Sequence, residues 1–171
     1  MKVIEYHERT KHLPNRPANS AGYLDWATEP NPFRNYEGTI PIQLPFSNTD
    51  SGANYFDLFV RKNNKFQPFS LANIARLLGL SMGLSAWKSY SGTSWALRMN
   101  PSSGNLHPTE AHLVLPPIHE NNNLGGVFHY NPLSHVLEPR AEFNEQFWSG
   151  LEKHFEQEGF LIGLTSIYWR E

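Results

Sequence analysis

Six prolines between Leu13 and Ser51, at positions 14, 17, 30, 32, 41 and 45, constrain this chain more than any other feature. Each fixes φ and removes a backbone donor, so neither an ordinary helix nor a central strand fits between them. Residues 1–51 are therefore expected to form an extended, turn-rich lead-in to a domain over residues 52–171. The lead-in nevertheless carries Tyr23, Leu24, Trp26, Phe33, Tyr36, Ile40, Ile42, Leu44 and Phe46. A free linker does not hold that apolar load in water, so the segment should lie across a folded surface of this chain or of a partner subunit.

Periodicity organises the remainder. Asn54 to Arg61 is rich in strand formers, and Lys62-Asn63-Asn64-Lys65 supplies a turn, which suggests a short strand or hairpin. Ser70 is an N-cap for a helix whose apolar face is Leu71, Ile74, Leu77 and Leu78 and which ends near Gly83. Glu110 to Pro116 is a nearly continuous apolar run, as in a strand covered on both faces. Gly126–Tyr130 and His135–Leu137 flank Asn131-Pro132-Leu133-Ser134 as a hairpin. Phe143, Phe147, Leu151 and Phe155 recur every fourth residue, which predicts a helix over Ala141–Glu158 closed by Gly159, followed by a buried strand over Phe160–Trp169. The order is that of an α+β layer, helices covering one sheet.

Composition narrows the function. Of 171 residues, 39% are apolar and 13% aromatic, enough for a packed core and outside the disordered class. A formal charge of -2 carries no footprint for nucleic acid or an anionic membrane. Without cysteine there is no disulfide, thiolate metal site or cysteine nucleophile, so redox chemistry must come from a cofactor. Met1 to His12 is too polar for a secretory signal and Phe160 to Leu164 too short for a membrane span, so a cytoplasmic protein is expected.

The segment from Arg98 to Glu110, Arg-Met-Asn-Pro-Ser-Ser-Gly-Asn-Leu-His-Pro-Thr-Glu, is the clearest place for chemistry. Small residues between two prolines can bring backbone N–H and hydroxyl donors close to a flat polar ligand. Pro101-Ser102-Ser103-Gly104-Asn105-Leu106-His107-Pro108 resembles the Pro-Ser-Ser/Ala-x-Asn-x-Gln/His-Pro flavin-binding segment of the nitroreductase superfamily. With Glu110 it is most similar to the branch of SagB/ThcOx-type dehydrogenases. Similarities extend through Tyr6–His12, Leu24–Trp26, Pro32–Tyr36 and Gly83–Lys88. The resemblance implies a nitroreductase-like fold and an FMN-dependent oxidoreductase that passes hydride through flavin N5, with NAD(P)H as a candidate electron donor and a small molecule or peptide as substrate. It assigns FMN contacts to Pro101, Ser102, Ser103 and Asn105, places Arg98 within reach of the phosphate or ribityl chain, and makes Arg9 and Lys11 a basic phosphate-binding start. It also implies a homodimer. Relatives continue beyond the position of Glu171, so the expectation is the N-terminal part of such a domain, incomplete at its C-terminus, served by a complementing second half; the alternative is a truncated, non-catalytic interaction module.

Rival readings of the same residues are weaker. His107, Glu110 and His112 are ligand types for zinc, yet His-x-x-Glu-x-His is not a helical zinc spacing and Pro108 bends the chain between them, so no metal is expected. Trp87, Tyr90 and Trp95 read as core, and His129 and His135 serve equally well at the surface. No catalytic acid or base is identifiable.

Overall fold

The computed structural model describes residues 2–19, 22–23, 25–46, 55–60, 67–155 and 159–170. Contacts gather the chain into two units, 1–30 and 31–171. In the first, helix α1 (Val3–Thr10) is closed by the Lys11 N–H donating to His7 O and buries no residue. A bridge joins Leu13 to Arg16, and the Asp25 carboxylate accepts from Ala27 N to open a single 3-10 turn over Trp26–Thr28. Tyr23 and Trp26 are exposed.

The second unit runs β1 (Ile42–Gln43), α2 (Leu71–Met82), β2 (Leu84–Tyr90), β3 (Thr93–Arg98), β4 (Thr109–Ile118), β5 (Leu124–Asn131), β6 (Val136–Phe143), α3 (Glu145–Glu152) and β7 (Leu161–Ser166). Five of the strands form one antiparallel sheet in the order β1-β6-β5-β4-β7, while β2 and β3 pair separately. The architecture is mixed α+β, as the order of patterns implied.

Helix α2 starts where its cap does: Ser70 Oγ accepts from Asn73 N at 3.2 Å, satisfying an otherwise orphaned donor. It stops at Gly83, where a Cβ would come within 2.5 Å of Gly79 O. Its buried residues Ile74, Ala75 and Leu78 belong to one core with Ala111, Leu113 and Leu115 of β4, Phe128 and Tyr130 of β5 and Leu137 of β6. Leu113, Leu115 and Leu137 are fully enclosed, and each contributes about 2 kcal/mol by removal from water. Truncating Leu78 to alanine would cost a further cavity term, about 2–5 kcal/mol in all. From the lead-in, Phe33, Ile42 and Leu44 are buried, whereas Ile40 and Phe46 stay exposed.

The β5–β6 hairpin forms as expected. Asn131 Oδ1 accepts from the backbone N–H groups of Leu133 and Ser134, at 3.0 and 3.4 Å, and His135 closes the turn at φ 52°. A second hairpin, β2–β3, went unread in the sequence. Its turn residues Ser91 and Gly92 both have positive φ, 48° and 82°, the signature of the two-residue turns whose twist suits paired strands.

Five expectations are corrected. The lead-in over 1–51 is not wholly extended: α1 forms ahead of its first proline, and β1 pairs with the sheet between Pro41 and Pro45. Tyr55–Phe59 is a 3-10 turn rather than a strand, and the expected turn at 62–65 lies outside the described residues. The helix expected over 141–158 begins at Glu145 and runs to Glu152, because residues 141–143 pair with Val127, Gly126 and Gly125 in the sheet and Asn144 caps the helix by accepting from Phe147 N at 3.0 Å; residues 156–158 are outside the described set. Strand β7 is exposed at all six residues instead of buried: among the described residues it is an edge, paired with β4 alone. Trp87 and Tyr90 lie on the β2–β3 hairpin at 55% and 78% exposure, not in the core.

Among the described residues, no helix is long and apolar enough to cross a membrane.

Candidate functional site

The loop between β3 and β4 is shaped by its own side chains. Gly104, Asn105 and His107 all take left-handed backbone, with φ of 63°, 57° and 50°. For the two non-glycine residues this costs roughly 1–2 kcal/mol each, so other interactions must hold them there. Three do. Ser102 Oγ accepts from His107 N at 2.8 Å; the Asn105 side-chain amide donates from Nδ2 to Ala96 O at 3.0 Å; and Asn105 Oδ1 meets His107 Nε2 at 2.8 Å. The back of the loop is tied to residues beyond β7. Arg170 donates from Nη1 to Leu106 O at 2.9 Å, and Ile167 N donates to Pro108 O at 2.9 Å.

What the loop shows outward differs from what holds it. Pro101, Ser103 and Gly104 are exposed, Ser102 and Asn105 half-buried, and His107 buried. Ser103 and Gly104 occupy the first turn of a short 3-10 segment, Ser103–Asn105, where backbone N–H groups have no acceptor within the helix. Two exposed residues with backbone N–H groups free of the helix's own bonds thus sit on a braced loop.

Arg98 ends β3 and is buried. Its guanidinium donates to Pro32 O and lies 5.1 Å from the Phe33 ring centre. Burial pulls it below its ordinary value, opposed by Glu110 and reinforced by Arg170. The same surroundings act on His107, which burial, then Arg98 and Arg170, push below the usual histidine range, so the imidazole is neutral.

Arg9 and Lys11 belong to the first unit. Lys11 Nζ pairs with Glu8 Oε1 at 2.7 Å, and that hydrogen bond lowers the Glu8 carboxyl. Arg9 lines a cavity of about 260 Å³ with Tyr6, Thr10 and Asn19. The remaining site residues, Arg98, Pro101, Ser102, Ser103 and Asn105, come together in the second unit.

Behind the loop the sheet carries a polar row that sequence reading missed. Register sets His112 opposite His129 and His129 opposite Glu138 across β4, β5 and β6. His129 is fully buried between two carboxylates, Glu110 Oε2 at 2.5 Å and Glu138 Oε2 at 2.9 Å, and Glu138 Oε1 accepts from Asn131 Nδ2 at 3.0 Å. Tyr36 packs edge-on to His129, 5.1 Å between centres, beneath the Arg140 guanidinium. His129 and His135 are thus interior, not surface; His135 bonds Tyr130 Oη through Nδ1 at 2.9 Å. Burial pushes the Tyr130 hydroxyl up to about 12. The only sequence signal for the row was that Glu110 and His112 share a strand face. Among the described residues, no group of three or more histidines and carboxylates is arranged to hold a metal ion.

No family model matches the chain, and neither does any curated protein. The fold is similar to a solved structure from Anabaena variabilis described as a "putative nitroreductase", with 26% identity and a TM-score of 0.66 over 98% of this chain. The chain spans 32% of that protein's length. Its α+β architecture is thus similar to part of a nitroreductase fold.

Proposed function

We propose that this chain supplies the flavin-facing part of a nitroreductase-like oxidoreductase, with FMN seated against residues 101–108. One observation carries the reading: the loop is braced from behind by Ser102, Asn105, His107 and Arg170 while Ser103 and Gly104 stay exposed. Rigid neutral donors suit the carbonyl-edged, planar isoalloxazine ring, and a glycine beside them lets the ring approach the backbone. When bound, FMN supplies the two-electron acceptor and donor at N5 that no side chain of this cysteine-free chain provides.

The residues of the chain bind and orient. Pro101 fixes the entry to the loop, and Ser103 and Gly104 donate toward the ring. Arg98, engaged with Pro32 O and Phe33, sets the base on which the loop stands. In the first unit, taken by itself, Arg9 lines a small cavity with Tyr6, Thr10 and Asn19, and Lys11 is held by Glu8. The Gly104, His107-Pro108 and Glu110 pattern favours the SagB/ThcOx-type branch, with hydride drawn from a small molecule or peptide or delivered by NAD(P)H, in a homodimer or with a complementing second half.

The test is an FMN titration of desalted protein against a Ser103→Pro variant. Proline is tolerated at the first position of a helical turn, so this change removes a donor without unfolding the loop. Loss of one hydrogen bond predicts binding about tenfold weaker. Unchanged affinity would take the loop out of the site. A folded wild type that binds no FMN would favour the second reading, an interaction module of the same fold, for which the observation is the exposed apolar edge β7, with Leu161, Ile162 and Leu164 at 41%, 44% and 64% exposure.

A further inference from the structure

We propose that His107 is a positioning residue that turns the Asn105 side chain inward, so that the loop recognises a planar ligand through the Ser103–Gly104 backbone and not through the Asn105 amide. This inference rests on the flavin reading of the loop.

Ala96 O can only accept, so the Asn105 group facing it at 3.0 Å must be the NH₂. That orientation leaves Oδ1 toward His107 Nε2 at 2.8 Å, and an acceptor there demands a proton on Nε2. A neutral imidazole with its proton on Nε2 has a bare Nδ1, and His107 Nδ1 is the buried nitrogen with no partner. Three observations of different kinds thus agree on one tautomer. Each end of the Asn105 amide thus has a partner inside the protein, Ala96 O on one side and His107 Nε2 on the other, and the two together fix its direction.

His107 is held where it can do this. It is 4% exposed, its N–H is bound by Ser102 Oγ, and Arg170 fixes the carbonyl of the preceding residue. Removing the imidazole frees Asn105 Oδ1. With it goes the restraint on two left-handed residues, and Ser103 and Gly104 then lose their fixed direction.

The experiment uses the full chain labelled with 15N. Two-bond proton–nitrogen spectra read the His107 tautomer without any ligand, and FMN titrations compare wild type with His107→Gln, His107→Phe, Asn105→Ala and the His107→Phe/Asn105→Ala double variant. Glutamine keeps a side-chain N–H near the Nε2 position, phenylalanine does not. The expected result is an Nε2-protonated imidazole, affinity within about threefold for His107→Gln, about tenfold weaker binding for His107→Phe and for Asn105→Ala, and a double variant no weaker than either single one. An Nδ1-protonated ring overturns the proposal, as do strictly additive losses, which mean that Asn105 touches the ligand independently. Should His107→Phe fail to fold, the tautomer and the comparison of His107→Gln with Asn105→Ala still decide. If folded wild type binds no FMN, the flavin reading falls and takes the ligand half of the inference with it, while the tautomer separately settles the clamp.

Discussion

Replacing His129 by leucine should destabilise this protein more than any other single change in the polar row. The imidazole is fully buried, and the carboxylates on its two nitrogens are 1% and 5% exposed. Glu138 would keep Asn131, but Glu110 would lose the hydrogen bond at Oε2 while its Oε1 already lacks one. Removing one member of a buried polar pair costs about 3–5 kcal/mol at the ionic limit, because the group left behind is neither solvated nor hydrogen-bonded. Taking roughly 4 kcal/mol, the folding constant falls about a thousandfold, a large part of the 5–15 kcal/mol typical of a domain. The same principle makes an opposite forecast for wholesale replacement. Glu110→Leu/His129→Leu/Glu138→Met removes the three polar side chains together and should return to within about 1 kcal/mol of wild type or exceed it. Urea unfolding followed by tryptophan fluorescence measures both. A His129→Leu variant less than about 1 kcal/mol weaker than wild type would refute the reasoning, for it would mean the row is solvated.

Other expectations concern single features. His107, His112 and His135 are all pushed below the ordinary histidine range, with burial the largest cause in each. Their stabilising contribution is complete above the unfolded value near 6.5 and is lost as pH falls toward the folded values, so the melting temperature should drop between about pH 7 and pH 5; a rise on acidification over that window would contradict it. Gly125→Ala places a Cβ 2.4 Å from the Phe143 ring and 2.9 Å from Leu115 O, and should cost about 1–3 kcal/mol by chemical denaturation. Gly150→Ala, in α3 with nothing within 4 Å, should gain about 0.5–1 kcal/mol in the same assay. Ser70→Ala removes the cap of α2 and should lower the melting temperature by about 3 °C, from a loss near 1 kcal/mol.

What the sequence disclosed followed how local its signals were. Helix α2 was legible because Ser70 and Gly83 mark its ends, and the β5–β6 hairpin because Asn131 closes its own turn. The Ser91-Gly92 turn was equally local and simply went unread. Strand β7 shows the opposite limit: Leu161 to Ser166 reads as a strand, but only sheet order reveals that one flank is open. The Pro101–Pro108 segment drew attention through its small residues, while the parts that hold it were hidden. Asn105 reaches back to Ala96, and Arg170 meets Leu106 across 64 positions. His129 lies 19 positions from Glu110 and 9 from Glu138, so its burial between two carboxylates depends on register and not on composition.

The two borders of the main sheet have opposite characters. Leu44 N turns toward His135 O, so along β1 the even positions 42 and 44 donate inward and positions 41, 43 and 45 point away. Two of those three are Pro41 and Pro45, which have no hydrogen to give, leaving Gln43 alone. β7 has no proline or charged residue from Leu161 to Ser166. Among the described residues the sheet is thus a template with polarity: the β1 border is poor in donors, and the β7 border offers an unbroken row of them.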